Sequence, residues 1–134
     1  MKQLARLHIL VIEDDDDARE LMQAVLEQRG ATVTSADSVA QAFDVLEKVQ
    51  PDVIISDIAM PEEDGIAFVR RLRTKSSEKG GRIPSIAVSA FVANSDRVRA
   101  LSAGFDRYLF KPVDFDELCR TIGAILDREG QVSA

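Results

Sequence analysis

Acidic, hydroxyl and ammonium side chains stand at the ends of four apolar runs, and together they suggest phosphoryl transfer assisted by a divalent cation. The run Leu7-His8-Ile9-Leu10-Val11-Ile12 ends in Glu13-Asp14, and Val53-Ile54-Ile55-Ser56 ends in Asp57. Ile86-Ala87-Val88 ends in Ser89-Ala90, and Tyr108-Leu109-Phe110 ends in Lys111-Pro112. Carboxylates brought close together raise one another's pKa unless a counter-ion relieves the repulsion. Oxygen-only donors select Mg²⁺ or Ca²⁺, and a site with few protein ligands and room for water suits Mg²⁺. Neither acid run has the D-x-[DN]-x-[DN]-G spacing of a calcium loop. The carboxylate of Asp57 could attack phosphorus to give an acyl phosphate, with Lys111 as a compact charge on the transferring oxygens. Ser89 could donate its hydroxyl hydrogen to the same group.

These residues meet only if the runs are parallel strands whose ends share one sheet edge, where open α/β sheets place their chemistry. The intervening segments support that. Ala18, Leu21, Met22, Val25 and Leu26 fall at helical spacing with Gly30 as a stop, and Val39, Ala42, Phe43 and Leu46 repeat the pattern behind a Ser38 cap. Phe115, Leu118, Cys119, Ile122, Ile125 and Leu126 do the same behind Asp114. Weaker helical patterns cover Ile66 to Arg73 and Ser95 to Ala103, and a short strand fits Ala31 to Ser35. The order βαβαβαβαβα requires right-handed crossovers, and so predicts a parallel sheet covered on both faces. Pro112 ends strand pairing after Lys111 and turns the chain.

Composition agrees with a single domain spanning residues 1–134, with its core at about 7–128 and short tails. The chain has 134 residues, 46% hydrophobic and 30% charged, which excludes a disordered or membrane-embedded protein. No apolar stretch approaches the roughly 20 residues of a membrane helix, and no signal peptide is read. A net charge of −6, concentrated in Glu13 to Asp17 and Glu62 to Asp64, argues against direct nucleic-acid binding. Cys119 lies on an apolar helical stripe and reads as a buried small hydrophobe; one cysteine supports no intrachain disulfide and fits a cytoplasmic location. His8 lies inside the first strand, away from the acidic edge, and reads as structural. Arg70, Arg71, Arg73 and Lys75 read as a solvated helix face. The polar, glycine-containing stretch from Ser76 to Pro84 reads as a mobile surface loop.

The four motifs, in order, resemble the receiver domains of two-component response regulators. Ile9 to Asp15 is similar to their first strand and acidic pair. Asp52 to Pro61, followed by Asp64-Gly65, is similar to their phosphoacceptor segment. Ile83 to Ala90 is similar to their switch strand, and Phe110-Lys111-Pro112 to their lysine turn. The resemblance covers about residues 7 to 128. It implies a three-layer, doubly wound (βα)5 flavodoxin-like fold, with five parallel strands in the order 2-1-3-4-5. It also implies a role for each residue. Asp57 accepts the phosphoryl group. Asp14 binds Mg²⁺ directly, Glu13 mainly through water, and Ala59 through its backbone carbonyl. Ser89 and Tyr108 form the switch, and Lys111 clamps the phosphoryl group. The donor would be a phosphohistidine on a histidine kinase or histidine phosphotransfer domain. The domain would catalyse its own phosphorylation and slow autodephosphorylation rather than act as a conventional turnover enzyme, and the surface formed by the fourth helix, fifth strand and fifth helix would change conformation.

The chain departs from the family pattern at some positions. Glu13 stands where many receivers have Asp, and Ser89 lacks the methyl of threonine. Ala59 and Phe91 flank the expected path of attacking water, and the bulk of Phe91 is expected to prolong the acyl phosphate. The chain reads either as a free-standing regulator or as a receiver from a larger protein. The Gly80-Gly81-Arg82-Ile83-Pro84 and Ala103-Gly104-Phe105 segments favour a hybrid histidine kinase. Two alternatives belong to other classes. A binding-only pseudo-receiver would have no reason to keep the full acid, hydroxyl and lysine set. A hydrolase of the haloacid dehalogenase type wants a second acid two residues after the nucleophile, where this chain has Ala59.

Overall fold

The computed structural model describes residues 3–60 and 64–128. Five strands, β1 (His8–Ile12), β2 (Thr32–Ala36), β3 (Val53–Asp57), β4 (Ser85–Ser89) and β5 (Arg107–Phe110), alternate with α1 (Asp16–Gln28), α2 (Val39–Lys48), α3 (Gly65–Arg73), α4 (Asn94–Ala103) and α5 (Phe115–Arg128). All pairings are parallel and the order is β2-β1-β3-β4-β5, as the resemblance implied. Pro61, Glu62 and Glu63, part of the segment after β3 that the resemblance covered and of the second acid run, and the C-terminal tail lie outside the described residues.

Alternate residues of each central strand face opposite layers, which splits the core in two. Leu10, Ile12, Ile54, Ala87 and Tyr108 pack beneath α2, α3 and α4 with Phe68, Val69 and Leu72. Ile9, Val11, Val53, Ile55, Ile86 and Val88 pack against α1 and α5 with Leu26, Leu118, Ile122 and Leu126. Fully burying each large apolar side chain contributes about 1.5–3 kcal/mol, and Phe68, Leu72 and Ile122 are 0% exposed. Both faces of β3 and β4 are covered, hence their continuously apolar reading.

Helix starts follow the expected cap chemistry. Ser38 Oγ accepts from Gln41 N at 3.1 Å, and Asp114 Oδ1 accepts from Glu117 N at 3.1 Å. Strand β2 begins one residue later than the sequence suggests. Ala31 N donates to Leu26 O at 3.1 Å, so Ala31 closes α1 rather than opening the strand.

Two expectations near α3 are corrected. The segment 76–84 is not a free surface loop: it holds a 3₁₀ turn (Ser77–Lys79), and Ile83 and Pro84 are buried. Nor is Arg73 part of a solvated helix face. Its guanidinium donates to Gly104 O at 3.0 Å, Gly81 O at 3.2 Å and Ile83 O at 2.8 Å, and it pairs with Asp106 Oδ2 at 3.1 Å. Arg71 lies 4.2 Å from the centroid of the Phe43 ring, and Lys75 lies 5.2 Å from it. Arg70 is exposed, as expected.

Candidate functional site

Strand register brings the chemistry-bearing residues to one level. Ile12 pairs with Ser56, Asp57 with Val88, and Ser89 with Phe110, so the residues that follow these pairs emerge together at the carboxyl edge. Lys111 N donates to Ser89 O at 2.8 Å, which carries the β4–β5 pairing one residue further and aims the lysine along the edge. Glu13 N donates to Ala36 O at 3.0 Å and fixes the end of β1 against β2 in the same way.

The acid run after β1 divides its charges. Glu13 is 7% exposed and turns inward, and Asp14 is half-buried beside it. Asp15 faces the other way and caps α1, its Oδ2 accepting from Ala18 N at 2.8 Å. Asp16 pairs with Arg19 at 2.6 Å, and the same guanidinium donates to Glu13 O at 3.0 Å. The remaining acid arrives from β3, whose last residue, Asp57, is 7% exposed. Glu13, Asp14 and Asp57 each offer a carboxylate oxygen, all within 4.8 Å of one another.

Lys111 enters between two of these acids. Its Nζ lies 2.8 Å from Glu13 Oε1 and 3.3 Å from Asp57 Oδ1. Burial pushes the Asp57 carboxyl up to about 6, and the charge of Glu13 adds to the rise while Lys111 opposes it. Burial draws the Lys111 pKa down, but its hydrogen bond to Glu13 and the charges of Asp57 and Glu13 outweigh that and leave it raised. A single ammonium therefore does not neutralise the cluster. Three carboxylate oxygens at this spacing, with no nitrogen or sulfur donor, suit a hard divalent cation of the Mg²⁺ kind.

The path from β3 to α3 depends on one residue without a side chain. A Cβ on Gly65 would lie 2.4 Å from Asp57 O, while Gly65 N donates to Ile58 O at 2.9 Å. Asp64 caps α3 through Ala67 N at 2.9 Å, so the Asp-Gly pair both starts the helix and lets it sit on the end of β3. Ala59 lies two residues past Asp57 in the intervening turn and is exposed.

Ser89, Phe91 and Tyr108 are joined through backbone groups. Phe91 N donates to Ser89 Oγ at 2.9 Å, and the Tyr108 hydroxyl donates to Phe91 O at 2.7 Å. Tyr108 is 8% exposed, whereas the Phe91 side chain is 45% exposed, so it is the Phe91 backbone that links the other two. Beside the acids, Ala18, Leu21, Met22, Val113 and Phe115 line an apolar groove of about 240 Å³ between α1 and the start of α5. Glu13 and Lys111 also border it, and Leu21 is 56% exposed.

Away from the edge, His8 is half-buried with Nε2 2.8 Å from Thr34 Oγ1, and Cys119 is buried with Sγ 3.4 Å from Arg29 Nη1. The sequence did not single out Arg19. Its only signal is helical spacing from Asp16, because its second acceptor is a carbonyl.

A family model described as the response regulator receiver domain matches residues 9–123. An uncharacterised 14.6 kDa protein of Leptolyngbya boryana is 43% identical over 122 residues, which cover 91% of this chain and 92% of that protein. Hybrid signal transduction histidine kinase D of Dictyostelium discoideum is 34% identical over 131 residues, covering 93% of this chain and 8% of the kinase. The chain also spans about half the length of several transcriptional regulatory proteins that it matches. Among solved structures, the receiver domain of sensor histidine kinase PA1611 from Pseudomonas aeruginosa PAO1 is 33% identical with a TM-score of 0.80, covering 90% of this chain and 97% of that one. Its structure was determined with a magnesium ion coordinated in the active-site cleft.

Proposed function

The chain belongs to the response regulator receiver domain family, and from that premise we propose that it accepts a phosphoryl group onto Asp57 from a phosphohistidine on a partner protein. The observation that carries this reading is the meeting of Glu13, Asp14 and Asp57 within 4.8 Å, with Lys111 bridging two of them. An Asp57 oxygen attacks phosphorus as the phosphorus–nitrogen bond breaks, and the departing imidazole keeps the bond's electron pair and takes a proton. Lys111 follows the charge on the transferring oxygens, and the Ser89 hydroxyl donates to one of them. Glu13, Asp14, Asp57 and the Ala59 carbonyl would hold Mg²⁺, which when bound offsets the negative charge of the acids and of the incoming group.

The Ser89–Phe91–Tyr108 connection offers a route outward. A Ser89 hydroxyl drawn toward the phosphoryl group gives up its bond from Phe91 N and loosens the loop that Tyr108 holds. The α4-β5-α5 surface is the element this would shift. The apolar groove at Leu21, Met22, Val113 and Phe115 lies next to the acids, where a partner helix carrying the donor histidine would rest. A cytoplasmic setting fits these partners, and no described helix is long and apolar enough to cross a membrane.

The test is incubation of the protein with Mg²⁺ and acetyl phosphate, followed by intact mass measurement. The expected result is a gain of one phosphoryl group, abolished by EDTA and by Asp57→Asn. A folded, Mg²⁺-binding chain that gains no mass would overturn the reading in favour of a binding-only module. Continuous phosphate release over many turnovers would overturn it in favour of a hydrolase.

A further inference from the structure

Arg19 touches none of the groups assigned to phosphoryl transfer, yet it holds the segment from which two of the three acids project. Its Nη1 donates to Glu13 O at 3.0 Å, and its Nη2 pairs with Asp16 Oδ1 at 2.6 Å. One planar group thus joins the last carbonyl before the acid loop to the first turn of α1. Its side chain is only 18% exposed, while that of Asp16 is 79% exposed. The hydrogen bond to Asp16, outweighing the effect of burial, raises the already high Arg19 pKa and keeps the fork charged.

The loop it spans needs such a brace. Glu13 and Asp14 must turn inward while Asp15 turns outward to cap α1, within one unbroken acidic run. Mutual repulsion would splay that run toward solvent. The Glu13 N–H to Ala36 O bond fixes the peptide plane that precedes Glu13, and Arg19 fixes the plane that follows it through the Glu13 carbonyl. Asp15 N also donates to Glu13 Oε2 at 3.2 Å, so the orientation of the Glu13 side chain depends on the same backbone path. The planar guanidinium suits this work, because it presents parallel donors to two acceptors where an ammonium presents a single point.

We propose that Arg19 is a positioning residue for the divalent-cation site, acting through the Glu13 backbone to set the separation of Glu13 and Asp14 from Asp57. The proposal rests on the Mg²⁺ site described above, and geometry and charge predict opposite effects of removing Arg19. As a charge, Arg19 repels the cation, so Arg19→Gln acting through charge alone would tighten Mg²⁺ binding. As a brace, its loss frees the acid loop and weakens binding, and partners that orient ligands typically account for 10–100-fold in affinity.

The experiment is calorimetric titration of MgCl₂ into the full chain, the Arg19→Gln variant and the Arg19→Lys variant, with urea unfolding of each in metal-free buffer. The expected result is about tenfold weaker Mg²⁺ binding in Arg19→Gln. Arg19→Lys, which keeps the charge but not the fork, is expected to recover only part of that affinity. Unchanged or tighter binding in Arg19→Gln overturns the proposal, as does full recovery by lysine, which would show that the two-acceptor fork is not what positions the loop. Should Arg19→Gln not fold, Arg19→Lys decides alone: weaker binding supports the brace, and unchanged binding overturns it. Absence of Mg²⁺ binding in the unaltered chain would overturn the site itself and the role of Arg19 with it. Normal binding there with unaffected variants overturns only Arg19.

Discussion

Lys111 Nζ sits closer to Glu13 Oε1, at 2.8 Å, than to Asp57 Oδ1, at 3.3 Å. The lysine is thus held mainly by one of the three clustered acids and would compete for it with an incoming cation. Lys111→Met should separate two effects that the unaltered chain combines. Removing the competing ammonium should tighten Mg²⁺ binding, by about tenfold if 1.4 kcal/mol of competition is relieved. Acceptance from acetyl phosphate should fall by about 10²-fold, the usual loss when a donor to developing charge is removed. Calorimetry and timed intact mass measure the two. A variant with weaker Mg²⁺ binding would show that Lys111 organises the acids rather than competes for them.

Asp57 makes the domain less stable above its own pKa. The carboxyl titrates near 3.8 when unperturbed and near 6 in the fold, where burial is the largest cause and Glu13 adds to it. The folded state therefore binds this proton more tightly than the unfolded chain does. The stability linked to it is complete below the unfolded value and is lost as pH rises through the folded one. In Mg²⁺-free buffer, Asp57→Asn should be more stable than the parent by about 2–3 kcal/mol at pH 7.5. That advantage should shrink toward pH 4.5. Urea unfolding across that range checks it, and a difference independent of pH would place the destabilisation elsewhere.

The positions of Asp57, Glu13, Asp14, Ser89 and Lys111 were legible because each follows an apolar run, and a parallel sheet turns that local pattern into a shared edge. The caps at Ser38 and Asp114 were legible for a similar reason, since a side chain and a nearby amide suffice. Arg19 and Arg73 were not. Their acceptors are the carbonyls of Glu13, Gly81, Ile83 and Gly104, and a carbonyl leaves no mark in the sequence. The order of the segment 76–84 escaped for the same reason: its polar composition describes what it exposes, whereas Arg73 and the burial of Ile83 decide what it does.

Gly65 should tolerate no side chain. The Cβ of alanine would fall 2.4 Å from Asp57 O and 3.0 Å from Ile58 Cα, and both are backbone atoms that cannot swing aside. Relief requires α3 to lift from the end of β3. Gly65→Ala should therefore lose about 2 kcal/mol or more of stability, toward the upper end of overpacking effects. It should also slow acceptance from acetyl phosphate, because the displaced carbonyl belongs to Asp57, the proposed phosphoacceptor. Urea unfolding beside timed intact mass reads both. A stable variant with normal acceptance would mean that this helix start is softer than its contacts indicate.

Arg73 should matter to stability far more than its neighbour on the same helix. Its guanidinium, 23% exposed, satisfies three carbonyls and Asp106, and Asp106 Oδ2 also accepts from Ser85 N at 2.8 Å. The network ties the end of α3 to the start of β4 and to the turn before β5. That turn is itself close-packed: a Cβ on Gly104, where φ is 135°, would meet Arg73 Cγ at 2.7 Å. Arg73→Met keeps most of the stem but leaves those acceptors short of donors. Hydrogen bonds to charged groups contribute about 1.5–3 kcal/mol each and do not add, so a loss of about 3 kcal/mol is expected. Arg73→Lys should recover less than half, because a lone ammonium cannot span four acceptors on two segments. Arg70→Met, at an exposed position, should stay within about 0.5 kcal/mol of the parent. Equal effects at 70 and 73 in urea unfolding would mean that the carbonyls find water as readily as they found Arg73, and that the network closes the segment 76–84 without stabilising it.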